Sequence, residues 1–412
     1  NNYVVRYDWT GTGTGYTTFS AINSIFGWPN TAFCSRNNTS IAWQDEFQAC
    51  AFRSSTDPGA GMREDCLTMT QSTDNYFAAQ STGNYYLAPT VNGLPNPLID
   101  AGITNAALKA MLADKTAIVP LVLSSPWSSA GGVPTAFADG EDGDALDLGY
   151  HYPKVDAVVS TSGLSVEADL ELEPGQLIAA DSTITVTSNA TVKVVGAAAD
   201  PVVMVPCWQI SDELVGYRPG QSADQLTGLW VKNTAGDGSY LQNAVINGFW
   251  RGAVLDPYRM ACVRDNQISV FEIGIYVWSA DESDPTYPAG VLGIDNSLFC
   301  GLSDQALAVY HLKSGSQLRC CTLVNYGRDP LYSSDTGRIN VTNSLFANCQ
   351  MPYFQPAYLE SLDYCGFFEA VPPIGSGVNN SRTCTVSPFM NGPFGRFYLN
   401  DVAGGGNLLR GD

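Results

Sequence analysis

Two stretches of this chain are copies of each other, about 315 residues apart. Ala32-Phe33-Cys34 matches Ala347-Asn348-Cys349, and Trp43 through Phe52 matches Tyr358 through Phe367. Cys66 matches Cys384, Tyr85-Tyr86-Leu87 matches Phe397-Tyr398-Leu399, and Asn96-Pro97-Leu98-Ile99 matches Asn407-Leu408-Leu409-Arg410. The offsets at Cys34, Cys50, Cys66 and Tyr86 are 315, 315, 318 and 312. Self-similarity of this kind constrains a fold more than composition does. It describes the end of one unit followed by most of another, the layout of an elongated repetitive object.

Between the copies a shorter period runs. Asn243-Ala244-Val245-Ile246, Asn266-Gln267-Ile268, Asn296-Ser297-Leu298-Phe299, Cys321-Thr322-Leu323-Val324 and Asn343-Ser344-Leu345-Phe346 recur at steps of 22 to 30 residues. Asn23-Ser24-Ile25-Phe26 is a further instance, so the duplication extends upstream of Cys34. Over residues 155–210, Leu164/Val166, Leu170/Leu172, Ile184/Val186 and Val192/Val194 alternate with polar residues between turn breaks, the mark of short strands. A step of this length matches one turn of a right-handed parallel β-helix, whose coils stack at the inter-strand spacing of about 4.8 Å. Asn suits the bends because it tolerates left-handed backbone.

The fold expected is therefore all-β, a right-handed parallel β-helix (solenoid), with the end of a preceding β-helical unit at the N-terminus. Residues 1–102 read as the closing rungs of that unit, 103–154 as a junction, and 155–412 as a second β-helical unit. In the junction, Thr104 to Lys115 reads as a short helix capped by Thr104. The second copy stops at Asp412 where the first runs on, and the first begins partway through a stack. Each end thus reads as half of something, and head-to-tail joining with copies of itself would supply the missing halves.

Charge narrows the partners. Forty acidic against 20 basic residues leave a formal net charge of −20, which repels phosphate backbones and argues against nucleic-acid binding. No apolar run approaches 18 residues, so membrane insertion is not expected.

One stretch carries a family resemblance. Tyr86-Leu87, Pro97-Leu98-Ile99-Asp100-Ala101-Gly102, an Asp-rich run, and Asp147-Leu148-Gly149-Tyr150-His151-Tyr152-Pro153 follow one another. This series resembles the terminal region of bacterial secreted right-handed β-helix repeat proteins, where a rung stack ends in a YxL…SPLIDAG…D…DIGYHYP segment. Asn96 stands where the usual residue is Ser. Leu170 to Pro206 is similar to their opening rungs. The resemblance implies the β-helix and an extracellular or cell-surface setting. It does not imply one activity, because this fold hosts polysaccharide lyases, hydrolases, adhesins and passive fibres.

Candidate chemistry is sparse. Asp265 and Asp295 each precede an anchor Asn and could stack on one face, with Arg264 beside them, as a lyase or hydrolase would need. The alternative is that they are solvated bend residues. Asp139, Glu141, Asp142, Asp144 and Asp147 lie among glycines and could hold Ca²⁺, or form a solvated acidic linker; no cofactor is required. Cys34, Cys50 and Cys66 are spaced 16 and 16, and Cys349, Cys365 and Cys384 are spaced 16 and 19. They are either small buried residues in a stack or disulfides between neighbouring rungs. Trp278 and Tyr287, on a long acidic and aromatic loop, are candidates for stacking on polysaccharide. Asn37, Asn38, Asn189, Asn340 and Asn379 are glycosylation sequons. His151 sits inside the terminal motif and His311 has no evident partner, so neither reads as catalytic. Arg410-Gly411-Asp412 aligns with Ile99 onward in the first copy and reads as structural rather than as an adhesion tripeptide.

The functional expectation is a non-catalytic extracellular structural protein, a segment or subunit of a β-helical fibre. The alternatives are a carbohydrate-active enzyme on a β-helix and a glycan-binding adhesin.

Overall fold

A computed structural model describes residues 5–7, 16–26, 34–36, 42–48, 50–53, 62–69, 76–103, 106–112, 115–117, 119–133, 145–210, 226–256, 259–278, 290–301, 305–310, 312–326, 330–333, 338–349, 359–370, 378–392 and 395–410. The chain forms two compact units. It passes between them more than once: residues up to Leu121 belong to the first unit, 122–133 to the second, 145–156 to the first again, and Ala157 onward to the second. The segment read as a junction thus supplies parts to both.

The second unit is a parallel β-helix. Three parallel sheets of 11, 7 and 10 strands, here sheets A, B and C, are visited in turn by the coils between Ala157 and Thr342. Leu177–Ala180 of sheet A is followed by Ile184–Val186 of sheet B and Val192–Val195 of sheet C, and the chain then re-enters sheet A at Val202–Pro206. An early partial coil is laid down by Leu121–Leu123 in sheet A, a bridge from Trp127 to Val166, and Gly131–Gly132 in sheet C.

The register explains why the period carries a core. In sheet A, Ile178, Met204, Ile246, Ile268, Phe299, Leu323, Phe346 and Phe367 are successive partners, and all are buried. In sheet B the inward column is Leu164, Ile184, Leu229, Ala253, Ile275, Leu307 and Leu331. In sheet C it is Leu172, Val194, Leu241, Val263, Ile294, Leu318, Val341 and Leu362. Each Leu, Ile or Phe so buried stabilises the unit by about 1.5–3 kcal/mol relative to exposure. Phe346 and Phe367 stack with ring centroids 5.3 Å apart and planes 9° apart.

Where the coil enters sheet B, a glycine column replaces side chains. A Cβ on Gly252 would meet the Gly274 carbonyl oxygen at 2.5 Å and Ile268 Cγ2 at 2.8 Å, and one on Gly274 would meet Ala306 O at 2.6 Å and Phe299 Cδ1 at 2.8 Å. The large sheet A residues occupy that space from within.

The first unit repeats the plan. Tyr16–Ile22, Ala42–Gln48 and Met62–Glu64 form one parallel sheet; Ile25–Phe26, Ala51–Arg53 and Leu67–Met69 form another. Ala106–Leu112 is helical, inside the range expected, and Thr104 lies outside the described residues.

The duplication is a duplication of structure. Ile25, Ala51 and Leu67 are successive partners in the first unit, as Leu345, Gly366 and Arg382 are in the second. Asn23 has φ 50° and Asn343 φ 49°; Asp65 has φ 52° and Asn380 φ 50°. An antiparallel hairpin then follows in each. Phe77 pairs with Leu87, Ala78 with Tyr86 and Gln80 with Gly83; Phe389 pairs with Leu399, Met390 with Tyr398 and Gly392 with Gly395. Every one of these pairs is shifted by the same 312 residues, and both hairpins break register at the same place. Ala88 N then donates to Tyr76 O at 2.9 Å, and Asn400 N to Pro388 O at 2.8 Å.

The tail folds back over the sheet. In the first unit Leu98 is fully buried in a cluster with Ala51, Met69, Leu87 and Leu148. In the second, Leu409 lies where a Cβ on Gly366 would come within 2.6 Å of its Cδ2. Leu98 and Leu409 are equivalent, as their alignment implies. The bracing amide is not. Asn96 Nδ2 donates to Tyr76 O and Ala88 O, whereas in the second copy Asn400 Nδ2 donates to Ser387 O and Phe389 O. Asn407, aligned with Asn96, is exposed.

Candidate functional site

The corner between sheets C and A is built from one backbone device. Asn243, Asp265, Asn296, Cys320, Asn343, Tyr364 and Asn380 all have positive φ, between 42° and 59°. The expected anchors Asn266 and Cys321 lie one residue past this corner. Asp265 and Cys320 take the left-handed position in those coils, because the inward slot that follows needs Asn266 and Cys321.

That inward slot holds small polar side chains. Asn266, Ser297, Cys321, Ser344 and Cys365 are all buried. Each bonds the corner together. Ser297 Oγ donates to Asp295 O at 2.9 Å and Ser344 Oγ to Thr342 O at 2.9 Å. Cys321 Sγ donates to Arg319 O at 3.2 Å and Cys365 Sγ to Asp363 O at 3.4 Å. Asn266 Oδ1 accepts from Ala244 N at 3.0 Å, Ser297 Oγ from Asn266 N at 3.2 Å, and Ser344 Oγ from Cys321 N at 3.1 Å. Cysteine here does the work of serine. In the first unit Cys50 Sγ donates to Gln48 O at 3.4 Å, and Cys66 Sγ to Phe47 O at 3.5 Å. Cys349 Sγ serves the next corner, donating to Ala347 O at 3.2 Å.

Cys50, Cys349, Cys365 and Cys384 are free thiols; the side chain of Cys34 lies outside the described residues. Cys50, Cys349, Cys365 and Cys384 are buried. Burial pushes the Cys321 thiol up to about 12 and those of Cys349 and Cys365 to about 11. A thiol so protonated is neither a nucleophile nor a metal ligand at neutral pH.

Asp265 and Asp295 fall into two adjacent columns rather than one. Asp295 ends the strand Gly293–Asp295 and lies in register with Arg264 on one side and Arg319 on the other. Arg319 grips it twice, Nε to Oδ1 at 2.5 Å and Nη2 to Oδ2 at 2.6 Å. Asp265, at the corner, accepts from Asn296 Nδ2 at 2.7 Å and faces Arg264 Nε at 3.6 Å. Arg264 Nη2 also donates to Gln242 Oε1 at 3.2 Å. These groups form a ladder along the wall, with both carboxylates engaged by neighbours one coil away.

The remaining expected residues scatter. Asp139, Glu141, Asp142 and Asp144 lie outside the described residues, as do Tyr287, Asn37, Asn38 and His311. Asp147 is buried in the first unit, where its Oδ1 accepts from Asp100 N at 2.8 Å. Trp278 ends the strand Ile273–Trp278, and its side chain lies outside the described residues. His151 Nδ1 lies 3.1 Å from Gly149 O. Asn189 and Asn379 are exposed. Asn340 is half-buried; its Nδ2 donates to Glu360 Oε2 at 2.9 Å and its Oδ1 accepts from Ser361 at 2.6 Å.

One surface feature escapes a reading by residue type. On the outer face of sheet B, Thr185, Trp230, Val254, Tyr276, Ala308 and Tyr332 are successive register partners. Trp230 is 40% exposed, and Tyr276 and Tyr332 are half-exposed. Val254 and Ala308 are buried between them. Lys232 Nζ lies 4.6 Å from the centre of the Trp230 ring, and the Arg251 guanidinium 5.3 Å from that of Tyr276. Alternation of apolar and polar residues locates such strands, but only the inter-coil register shows which outward residues share a column.

No protein-family model matches this chain, and no curated protein matches it.

Proposed function

We propose that this chain is a non-catalytic structural segment of an extracellular β-helical fibre or surface filament, joined head-to-tail to copies of itself. The observation that carries this reading is the structural identity of the two closing modules. Rungs, hairpin and back-folded leucine recur in the same order in the two units, so the chain carries one kind of closing module twice.

Three further features support it. Among the described residues, the last coil of the second unit, Val378–Asn379 in sheet C and Arg382–Thr383 in sheet A, is followed by a hairpin and a back-folded leucine like those that close the first unit. The carboxylates that a hydrolase would use, Asp265 and Asp295, are held by Asn296 and Arg319. An extracellular setting is what the resemblance of Pro97 to Gly102 and Asp147 to Pro153 to secreted β-helix proteins implies.

The test is negative-stain microscopy with sedimentation over a hundredfold concentration range. Filaments or open-ended oligomers of uniform width are expected. A monomer at every concentration that releases reducing or unsaturated ends from a polysaccharide would replace this reading with the enzymatic one.

A further inference from the structure

The geometry points to a glycan-binding shelf on the outer face of sheet B, formed by Trp230, Tyr276 and Tyr332, for an extended β-1,4-linked chain bearing uronate carboxylates. Neighbouring coils are about 4.8 Å apart, so aromatics on every second coil recur at about 9.6 Å. That is close to the length of one disaccharide in a flat β-1,4-linked chain, in which every second sugar presents the same face. The buried Val254 and Ala308 occupy the intervening coils, so within this column no large outward side chain stands between Trp230, Tyr276 and Tyr332.

Ring faces suit the C–H faces of pyranoses, since an aromatic side chain gives a large rigid apolar surface at small entropic cost. Charge selects among glycans. The chain has twice as many acidic as basic residues, yet two cations sit on this column. Lys232 lies against Trp230, and Arg251 against Tyr276, where its Nε also bonds Glu272 Oε2 at 2.9 Å. An ammonium beside the first ring would pair with a carboxylate on the sugar that stacks there. Neutral glucans of the same shape would gain the stacking and not the ion pair. This shelf is separate from the long acidic loop, and it concerns what a fibre built from this chain would hold rather than how the fibre forms.

The experiment titrates the full chain with β-1,4-mannuronate oligomers of two to eight sugars, following tryptophan fluorescence and calorimetry, with cellohexaose as the neutral match. The hexamer is expected to bind at least tenfold more tightly than the dimer and than cellohexaose, and to weaken with salt. Trp230→Leu, which keeps apolar bulk over the strand, should weaken the hexamer at least tenfold with the melting temperature within a few degrees of the parent. Tyr240→Leu, an exposed aromatic change on sheet C, should leave binding unchanged. The inference is overturned if the hexamer does not bind the parent chain, if cellohexaose binds equally well, or if the two leucine variants behave alike.

Discussion

Arg319 holds Asp295 from the neighbouring coil through two parallel hydrogen bonds of 2.5 and 2.6 Å. Bidentate pairing of this kind is the strongest form of an arginine–carboxylate hydrogen bond. Both partners are well exposed, with side chains 50% and 33% accessible, so the pair contributes under about 1 kcal/mol. Asp295→Asn and Asp265→Asn are therefore each expected to lower the unfolding free energy measured by chemical denaturation by no more than about 1 kcal/mol. Asp265→Ala should cost about 1 kcal/mol more than Asp265→Asn, because only the amide tolerates φ 59° at the corner.

The sheet A column makes the opposite prediction. Phe367 is fully buried and stacked on Phe346. Phe367→Ala should destabilise the second unit by about 3–5 kcal/mol through lost burial and the cavity left behind. Differential scanning calorimetry should show the loss as a lower melting temperature.

The duplicated corner asparagines separate backbone from side-chain effects. Asn23 is buried; its Oδ1 accepts from Ile103 N at 2.8 Å and its Nδ2 donates to Ile103 O at 3.2 Å. Asn343 has the same φ but is exposed. Asn23→Ala should cost about 1 kcal/mol more than Asn343→Ala, since it removes two hydrogen bonds to the half-buried Ile103 backbone. Urea titrations of the two variants measure the difference.

The thiols set an alkaline limit. Burial raises Cys321 from 9.0 to about 12, and Cys349 and Cys365 to about 11. In the unfolded chain these groups lose protons near their ordinary value, while the folded chain retains them. Their contribution is thus complete below about pH 9 and is lost as pH rises through about 11 to 12. Melting temperatures between pH 7 and 10.5 should fall, and the combined Cys321→Ser, Cys349→Ser and Cys365→Ser variant should show a shallower fall.

Much of this architecture is legible in the residues. Leu164/Val166 and Val192/Val194 alternate because one face of a short strand must be dry, and Asn243, Asn296 and Asn343 mark corners because few residues accept positive φ. The steps at 266 and 321 misled by one residue, since Asn266 reads as a corner and is an inward side chain. The small polar residue after each corner was a visible signal: Ser24, Cys50, Ser297, Cys321, Ser344 and Cys365 all occupy it.

The order of residues by itself determined that coils of short strands would stack, and that one closing module would appear twice, because alternation and left-handed corners are local requirements of the backbone. Which outward residues share a column was decided only in three dimensions. Loops between coils differ in length, so Trp230 shares a column with Tyr276, and Asp295 meets Arg319, through register alone. Hydrogen bonds between coils set that register, and they join residues that lie tens of positions apart along the chain.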